Sequence, residues 1–340
     1  MTPAIDINKT DGLYSKANAV RRMNELGALE KPFLFIIDFE MLRPIVKELP
    51  LKEKNILFDI NGFTNADSLA RNEEDKEIVF SKTPVSFQIY EKAFNEVMQN
   101  LKQGNSYLVN LTQPSEIKIN LTCGEIFDAC EAKYKLNFMD RFVVFSPESF
   151  VIIRDQKIYS YPMKGTIDAG IANAKEIILQ DEKEKAEHTT IVDLIRNDMS
   201  HFAKNVHVKR LRYLDYVNTN QKNLLQVSSE IVGDLPGSYR NCIGDIIFSM
   251  LPAGSVSGAP KEKTIEIIKK AENYSRGYYT GVFGYFDGKN LDSGVMIRFM
   301  ERDGDKWIYK SGGGITSMSN ARSEYEELIN KIYVPVNRKH

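Results

Sequence analysis

Hydrophobic positions along the chain recur with two periods, and the two periods divide it into strands and helices. Phe33–Phe39 is a mostly apolar run, interrupted by Asp38, and Asn55–Ile60 is a second, closed by Asn61-Gly62. Short apolar runs bounded by turn residues predict buried strands. Tyr90, Phe94, Val97, Met98 and Leu101 repeat at intervals of three and four, which predicts a helix over Phe87–Lys102, stopped by Gly104. Tyr107, Val109 and Leu111 then alternate as a strand. Phe142–Phe145, Phe150–Ile153 and Ile158–Tyr161 predict three more, the last running into Pro162.

The second half continues the mixture. Early charges followed by Ile191, Leu194 and Ile195 predict a long helix from Asp181 to about Asn197, and Gly258-Ala259-Pro260 opens another through Ile265, Ile267 and Ile268. Val282–Phe286, Val295–Phe299 and Trp307–Lys310 predict strands between glycine-rich turns, with a last helix over Ala321–Ile332. The part before residue 85 reads as short strands and turns with a charged stretch at Arg71–Glu77. Strands with interspersed helices, lacking regular βαβ alternation, indicate an α+β fold. For 340 residues a length prior of about 150 per domain suggests two domains. No linker, repeat or low-complexity tract marks a boundary.

Composition narrows the partner. Lysine plus arginine (45) almost cancels aspartate plus glutamate (46), leaving a net charge of −1. A chain so balanced is not a broad polycation, so nucleic acid held by phosphate neutralisation is not expected and a small molecule is. Cys123, Cys130 and Cys242 are too few and too irregular for a disulfide framework or a zinc knuckle. Met1–Thr10 carries no apolar run, and no stretch approaches the length of a bilayer span. The expectation is a cytoplasmic protein without a membrane partner.

Three groups of residues could carry chemistry. Lys164, in Pro162-Met163-Lys164-Gly165-Thr166, ends a strand where the backbone turns, and burial there would lower its pKa and free a nucleophilic amine. An isolated turn lysine is ordinary; Glu148, at the start of a strand in the same region, could stand beside it as an acid. Glu184 and Glu187 lie three apart on one helix, and Glu324, Glu327 and Lys331 repeat the spacing on the last helix. Either helix alone reads as a solvated face, whereas paired they make a hard oxygen site suited to Mg²⁺. Gly254–Lys261 leaves backbone N–H groups free where a helix begins but fails the phosphate-loop pattern. Ser311-Gly312-Gly313-Gly314 allows close backbone approach, and Arg298 offers a forked donor to a carboxylate. Together these features suggest a small dianionic substrate beside Mg²⁺. No cysteine or serine sits in a nucleophile elbow, so the chain is not expected to hydrolyse glutamine itself.

Assembled, the motifs resemble the chorismate-utilising enzymes. The blocks that carry the resemblance are Glu187-His188 through Ile191–Asp198, Gly254–Lys261, Arg276-Gly277-Tyr278-Tyr279 with Gly281, Gly284 and Tyr285, Ile297-Arg298, Gly312–Gly314, and Glu324-Tyr325 to Lys331. They stand in family order from about Phe87 to Lys331. The resemblance implies two large, mostly antiparallel sheets packed as a sandwich with helices outside. It also implies one catalytic unit over residues 1–340, with 1–85 a strand-rich segment, 86–336 the core, and no glutamine amidotransferase domain.

Within the family, Lys164 in Pro-Met-Lys-Gly-Thr is similar to the aminodeoxychorismate synthase component I branch, where the amine attacks chorismate C2. Anthranilate and isochorismate enzymes typically carry alanine there. Leu108 falls where isochorismate enzymes place a water-activating lysine. The implied reaction is Mg²⁺-dependent amination of chorismate at C4 by ammonia, supplied from solution or by a separate glutamine amidotransferase subunit. Anthranilate synthase component I is the alternative, and isochorismate synthase a more remote one. The implied roles are Lys164 as nucleophile and Glu148 as acid, with Mg²⁺ on Glu184, Glu187, Glu324 and Glu327. Substrate contacts would come from Gly165, Thr166, Gln226, Ser257, Gly258, Tyr279, Arg298, Gly312, Gly313, Gly314 and Lys331. Two positions depart from the family pattern: Gln226 replaces a usual histidine, and Met318 replaces an aspartate before the last helix.

Overall fold

A computed structural model describes residues 12–66, 78–217 and 223–335; the charged stretch Arg71–Glu77 lies outside the described residues. In chain order the elements begin with α1 (Lys16–Ala28), β1 (Phe33–Ile37), β2 (Ile45–Glu48), β3 (Ile56–Ile60), β4 (Phe63–Thr64), β5 (Phe80–Thr83) and α2 (Phe87–Lys102). They continue with β6 (Leu108–Ile119), α3 (Cys123–Ala129), β7 (Tyr134–Phe138), β8 (Phe142–Ser146), β9 (Ser149–Arg154), β10 (Lys157–Ser160), β11 (Met163–Asp168), α4 (Ala174–Gln180) and α5 (Glu182–Ser200). Next come β12 (Lys204–Val217), β13 (Leu224–Asp234), α6 (Ile243–Ser249), α7 (Gly254–Ser257), β14 (Gly258–Ala259) and α8 (Lys261–Ala271). The chain closes with β15 (Val282–Phe286), β16 (Leu291–Val295), β17 (Phe299–Asp303), β18 (Lys306–Ile315) and α9 (Ala321–Asn330).

Among the described residues all strand pairings are antiparallel, and they build two sheets. The first runs β11-β13-β10-β9-β16-β15-β1-β2, with β12 on β13; the second runs β14-β6-β18-β17-β8-β7-β3-β4, with β5 on β6. Their strands are apolar on both faces because both faces are covered. In β1, Leu34 and Ile36 face the other sheet and, with Phe283 of their own sheet, share a core with its Phe58, Leu136 and Phe138. Phe33, Phe35 and Ile37, one residue out of phase, pack with Met23 and Leu26 of α1 and Ile243 and Ile247 of α6. On the far side of the second sheet, Val143 and Phe145 meet Phe94 and Val97 of α2, Ile267 of α8 and Leu328 of α9. Four layers result, helices outside two sheets, as expected for an α+β sandwich. No described helix is long and apolar enough to cross a membrane.

Two of the chain's passages between the sheets lie at adjacent points. It leaves the second sheet after Ser146 and enters the first at Ser149, and it returns between Val295 and Phe299. The apolar run Val295–Phe299, read above as one strand, is therefore the end of β16, a crossing and the start of β17. Arg298 makes the turn at φ 53°, a conformation that costs a non-glycine residue about 1–2 kcal/mol. Hydrophobicity could not reveal the break because both sides of it are buried.

Several elements escaped the hydrophobic pattern, among them α3, β7, α4 and α6 as well as α1 and the β12–β13 hairpin. Helix α1 was expected to be strands and turns; only Ala19, Met23, Leu26 and Gly27 are buried, and Ser15 caps it by accepting from Asn18 N–H. Strands β12 and β13 form a long hairpin whose register shifts at three places, which breaks the two-residue alternation. Cap chemistry for α9 comes from Asn320, whose Oδ1 accepts from Arg322 and Ser323 N–H, so Met318 at the exposed end is not needed for it.

The loop after α8 ties helix α7 to strand β6 of the second sheet. Arg276, 1% exposed, donates through Nε and Nη2 to both oxygens of Glu272, through Nη1 to Val256 O at 2.7 Å, and through Nη2 to Asn110 O at 2.6 Å. Removing one partner of a buried pair leaves an uncompensated charge. Arg276→Leu should therefore lose about 3–5 kcal/mol of stability, measured by urea denaturation.

Candidate active site

A cavity of about 430 Å³ opens where the crossings, the edge strand β11, the glycine stretch of β18, and helices α5 and α9 converge. Its size suits a small-molecule substrate. Its wall brings together Glu148, Lys164, Gly165, Thr166, Glu184, Glu187, Gln226, Tyr279, Arg298, Gly312, Gly313, Gly314, Glu327 and Lys331, all singled out by sequence. Asn110, Lys183, Ser255 and Lys310 join them without having been singled out.

Lys164 enters the cavity from a bulge. The β11–β13 register slips between Met163 and Thr166, and Gly165 takes φ +81°, which re-aims the lysine. Its Nζ lies 3.3 Å from Glu187 Oε2. Burial alone would lower its pKa, but Glu187, Glu184 and Glu148 outweigh it and hold the amine above its ordinary value. The expected neutral amine is thus corrected: the free protein holds an ammonium. Strands β13 and β10 stand between β11 and β9, so Lys164 and Glu148 face each other only across the cavity.

The three glycines are required by crowding. A Cβ on Gly314 would stand 2.6 Å from Glu187 Oε2, 3.1 Å from Leu108 Cδ1 and 3.2 Å from Lys164 Nζ. One on Gly313 would meet Glu327 Oε1 at 3.3 Å, and one on Gly312 would strike Leu111 O at 2.5 Å. Strand β18 thus passes directly beneath the carboxylates of α5 and α9.

Glu148 and Arg298 flank the crossings. Burial pushes the Glu148 carboxyl above the usual carboxylate range, against the opposing pull of the Ser255 hydroxyl, which donates to Oε1, and of Lys164 and Arg298. A carboxyl raised in this way is suited to carry and give up a proton. Arg298 donates through Nε to Tyr333 Oη at 3.2 Å, just beyond α9. Lys331 donates to Gly312 O at 3.0 Å and pairs with Glu327. Burial lowers Lys331, whereas Lys331 more than offsets burial to lower Glu327.

Two expected contacts face elsewhere. Ser257 is fully buried and donates to Ala253 O, and Gly258, at φ +135°, lies so close to β6 that a Cβ would overlap Leu108 O. The lysine that follows, Lys261, pairs with Asp198 at 2.6 Å and Met250 O at 2.9 Å. This segment anchors the cavity from behind. Ser255, two residues earlier, is the serine that reaches the acid; only tertiary packing tells the two apart.

Glu324 lies just outside the wall, buried and paired with Lys183. Among the described residues no three His, Cys, Asp or Glu side chains converge as a ready metal cage. The donor set nevertheless fits a hard divalent cation. Glu187 Oε1 and Glu324 Oε2 are buried without a hydrogen-bond partner, and all the candidate ligands are carboxylates.

Residues 43–337 match the family described as chorismate binding enzyme. The chain belongs to that family. An uncharacterized PabA-like protein of Haemophilus influenzae is 48% identical over 318 residues, covering 93% of this chain and 96% of that one. Anthranilate synthase component 1 of Archaeoglobus fulgidus is 30% identical over 291 residues, 81% of this chain and 69% of its own. The fold matches that of MenF, the menaquinone-specific isochorismate synthase from Escherichia coli, with a TM-score of 0.68 over 95% of this chain and 82% of that one. At 13% identity, that likeness concerns the fold alone.

For this member of the family, Ser255→Ala should raise the Glu148 pKa further, because a hydrogen bond favouring the carboxylate is lost. Carbon-13 NMR titration of labelled glutamates, assigned with Glu148→Gln, would show the midpoint move to higher pH; an unmoved midpoint would refute the assigned contact.

Proposed function

We propose that the chain aminates chorismate at C4 to 4-amino-4-deoxychorismate. The observation that carries this reading is Lys164, an amine inside the cavity and within reach of the space above Gly314. Leu108 packs at the same glycine, where it can activate no water, which disfavours isochorismate formation.

In this reading Tyr279, Arg298 and Lys331 hold carboxylate groups of the substrate, and Gly165, Thr166, Gln226 and Gly312–Gly314 shape its bed. Mg²⁺ held by Glu184, Glu187, Glu324 and Glu327 would supply positive charge for the ring carboxylate. Once deprotonated, the Lys164 amine attacks C2 and the ring double bonds shift. The C4–O bond breaks, and Glu148 gives its proton to the leaving hydroxyl, which departs as water. Ammonia then attacks C4, the double bonds shift back, and the C2–N bond to Lys164 breaks. Covalent addition divides one difficult exchange into two easier ones. Ammonia comes from solution or from a separate glutamine amidotransferase subunit.

The kinship with an enzyme named anthranilate synthase component 1 favours one rival, conversion of chorismate to anthranilate and pyruvate. Incubating the pure chain with chorismate, Mg²⁺ and an ammonium salt should yield the amino product without pyruvate, identified by mass spectrometry and a pyruvate assay. Anthranilate with equimolar pyruvate would establish the rival. Lys164→Ala should abolish any covalent substrate adduct in the intact-protein mass spectrum. Glu148→Gln should slow turnover by a factor on the order of 10²–10⁴. Chelation should stop turnover, with Mg²⁺ restoring it.

A further inference from the structure

Lys183 occupies a position that the proposed reaction does not use. It stands in the first turn of α5, four residues before Glu187, and its Nζ lies 3.6 Å from Glu187 Oε1. The same ammonium pairs across the helix gap with Glu324 Oε1 on α9. Both carboxylates are almost wholly buried, whereas the Lys183 side chain is 27% exposed, so its stem leads from the cluster to solvent. Each of these carboxylates has one further oxygen role: Glu187 Oε2 serves Lys164, and Glu324 Oε2 is buried without a partner. One flexible monovalent cation therefore bridges the two helices that carry the candidate metal ligands.

We propose that Lys183 is a resident counter-cation of this cluster, and that a divalent cation binds by displacing it toward solvent. The inference rests on the reading of the carboxylates as a metal site. Burying Glu187 and Glu324 beside two further, half-buried carboxylates is costly unless positive charge accompanies them. Lys183 supplies that charge in the free protein and keeps α5 and α9 together. A divalent cation claims the same oxygens and repels the ammonium, and a four-carbon stem with an exposed side lets the lysine withdraw without backbone movement. Affinity for the metal is then set as a difference, because ligand binding is measured against whatever stabilises the free state.

The test is calorimetric titration of Mg²⁺ into the full chain without chorismate. Lys183→Met keeps the stem and removes the charge, and it should bind Mg²⁺ about tenfold more tightly, roughly 1.4 kcal/mol. Lys183→Arg should stay near the wild type. Lys185→Met, on the same helix but paired with exposed Glu182, should change nothing. Unchanged or weaker binding by Lys183→Met, or an equal gain in Lys185→Met, overturns the proposal. If neither wild type nor Lys183→Met binds Mg²⁺, the metal reading itself falls and the inference falls with it. A measurement on the wild type covers the case in which Lys183→Met does not fold. Amine-directed labelling of Lys183, read by peptide mass spectrometry, should increase when Mg²⁺ is added, and equal or reduced labelling overturns displacement.

Discussion

Two backbone hydrogen bonds hold the place on which the site depends. Val295 N–H donates to Glu148 O at 3.0 Å, and Phe145 N–H donates to Arg298 O at 3.1 Å. They join two of the points where the chain passes between sheets, so neither of these crossings can shift without the other. Because β9 pairs with β16 and β8 with β17, the crossings are neighbours in both sheets. An acid and an arginine are thereby fixed at a seam where the sheets separate and a cavity can open. Side chains on continuous strands would have pointed into one of the packed layers instead.

Around that seam the charges are arranged in opposition. Glu184, Glu187, Glu324 and Glu327 approach from two helices, while Lys164, Lys183 and Lys331 answer them from a strand bulge and from the same helices. Each pKa shift follows from which groups face which: Lys164 is raised by three carboxylates, and Glu184 is raised by burial and by Glu187. Such a cluster is poised to exchange internal cations for external ones. Its floor must be glycine, since any side chain on β18 would occupy the space the charged groups share.

Much of this was legible from residue order. The long helices appeared because their apolar spacing is strict, and the short buried strands because they are apolar throughout. The paired carboxylates of α5 and α9 were visible as three-residue spacings, and fourteen of the proposed site residues do line one cavity. Helix α1 was not visible, because a mostly polar sequence buries only a narrow stripe. The break at Arg298 was hidden by hydrophobicity on both sides. Ser255 and Ser257 could not be ranked, since one turn of α7 decides which hydroxyl meets Glu148 and which turns back to Ala253.

What the sequence determined by itself was chemical inventory and periodicity: an amine before Gly165, paired carboxylates on two helices, a triple glycine, and an α+β mixture of strands and helices. These are local properties, set by spacing and side-chain type. The tertiary structure alone decided the protonation of Lys164, the counter-ion placed between α5 and α9, and the residues that reach the cavity. Those outcomes depend on burial and on charges more than a hundred residues away, such as Glu324 beside Lys183, and no local pattern encodes a dielectric or a distance across the fold.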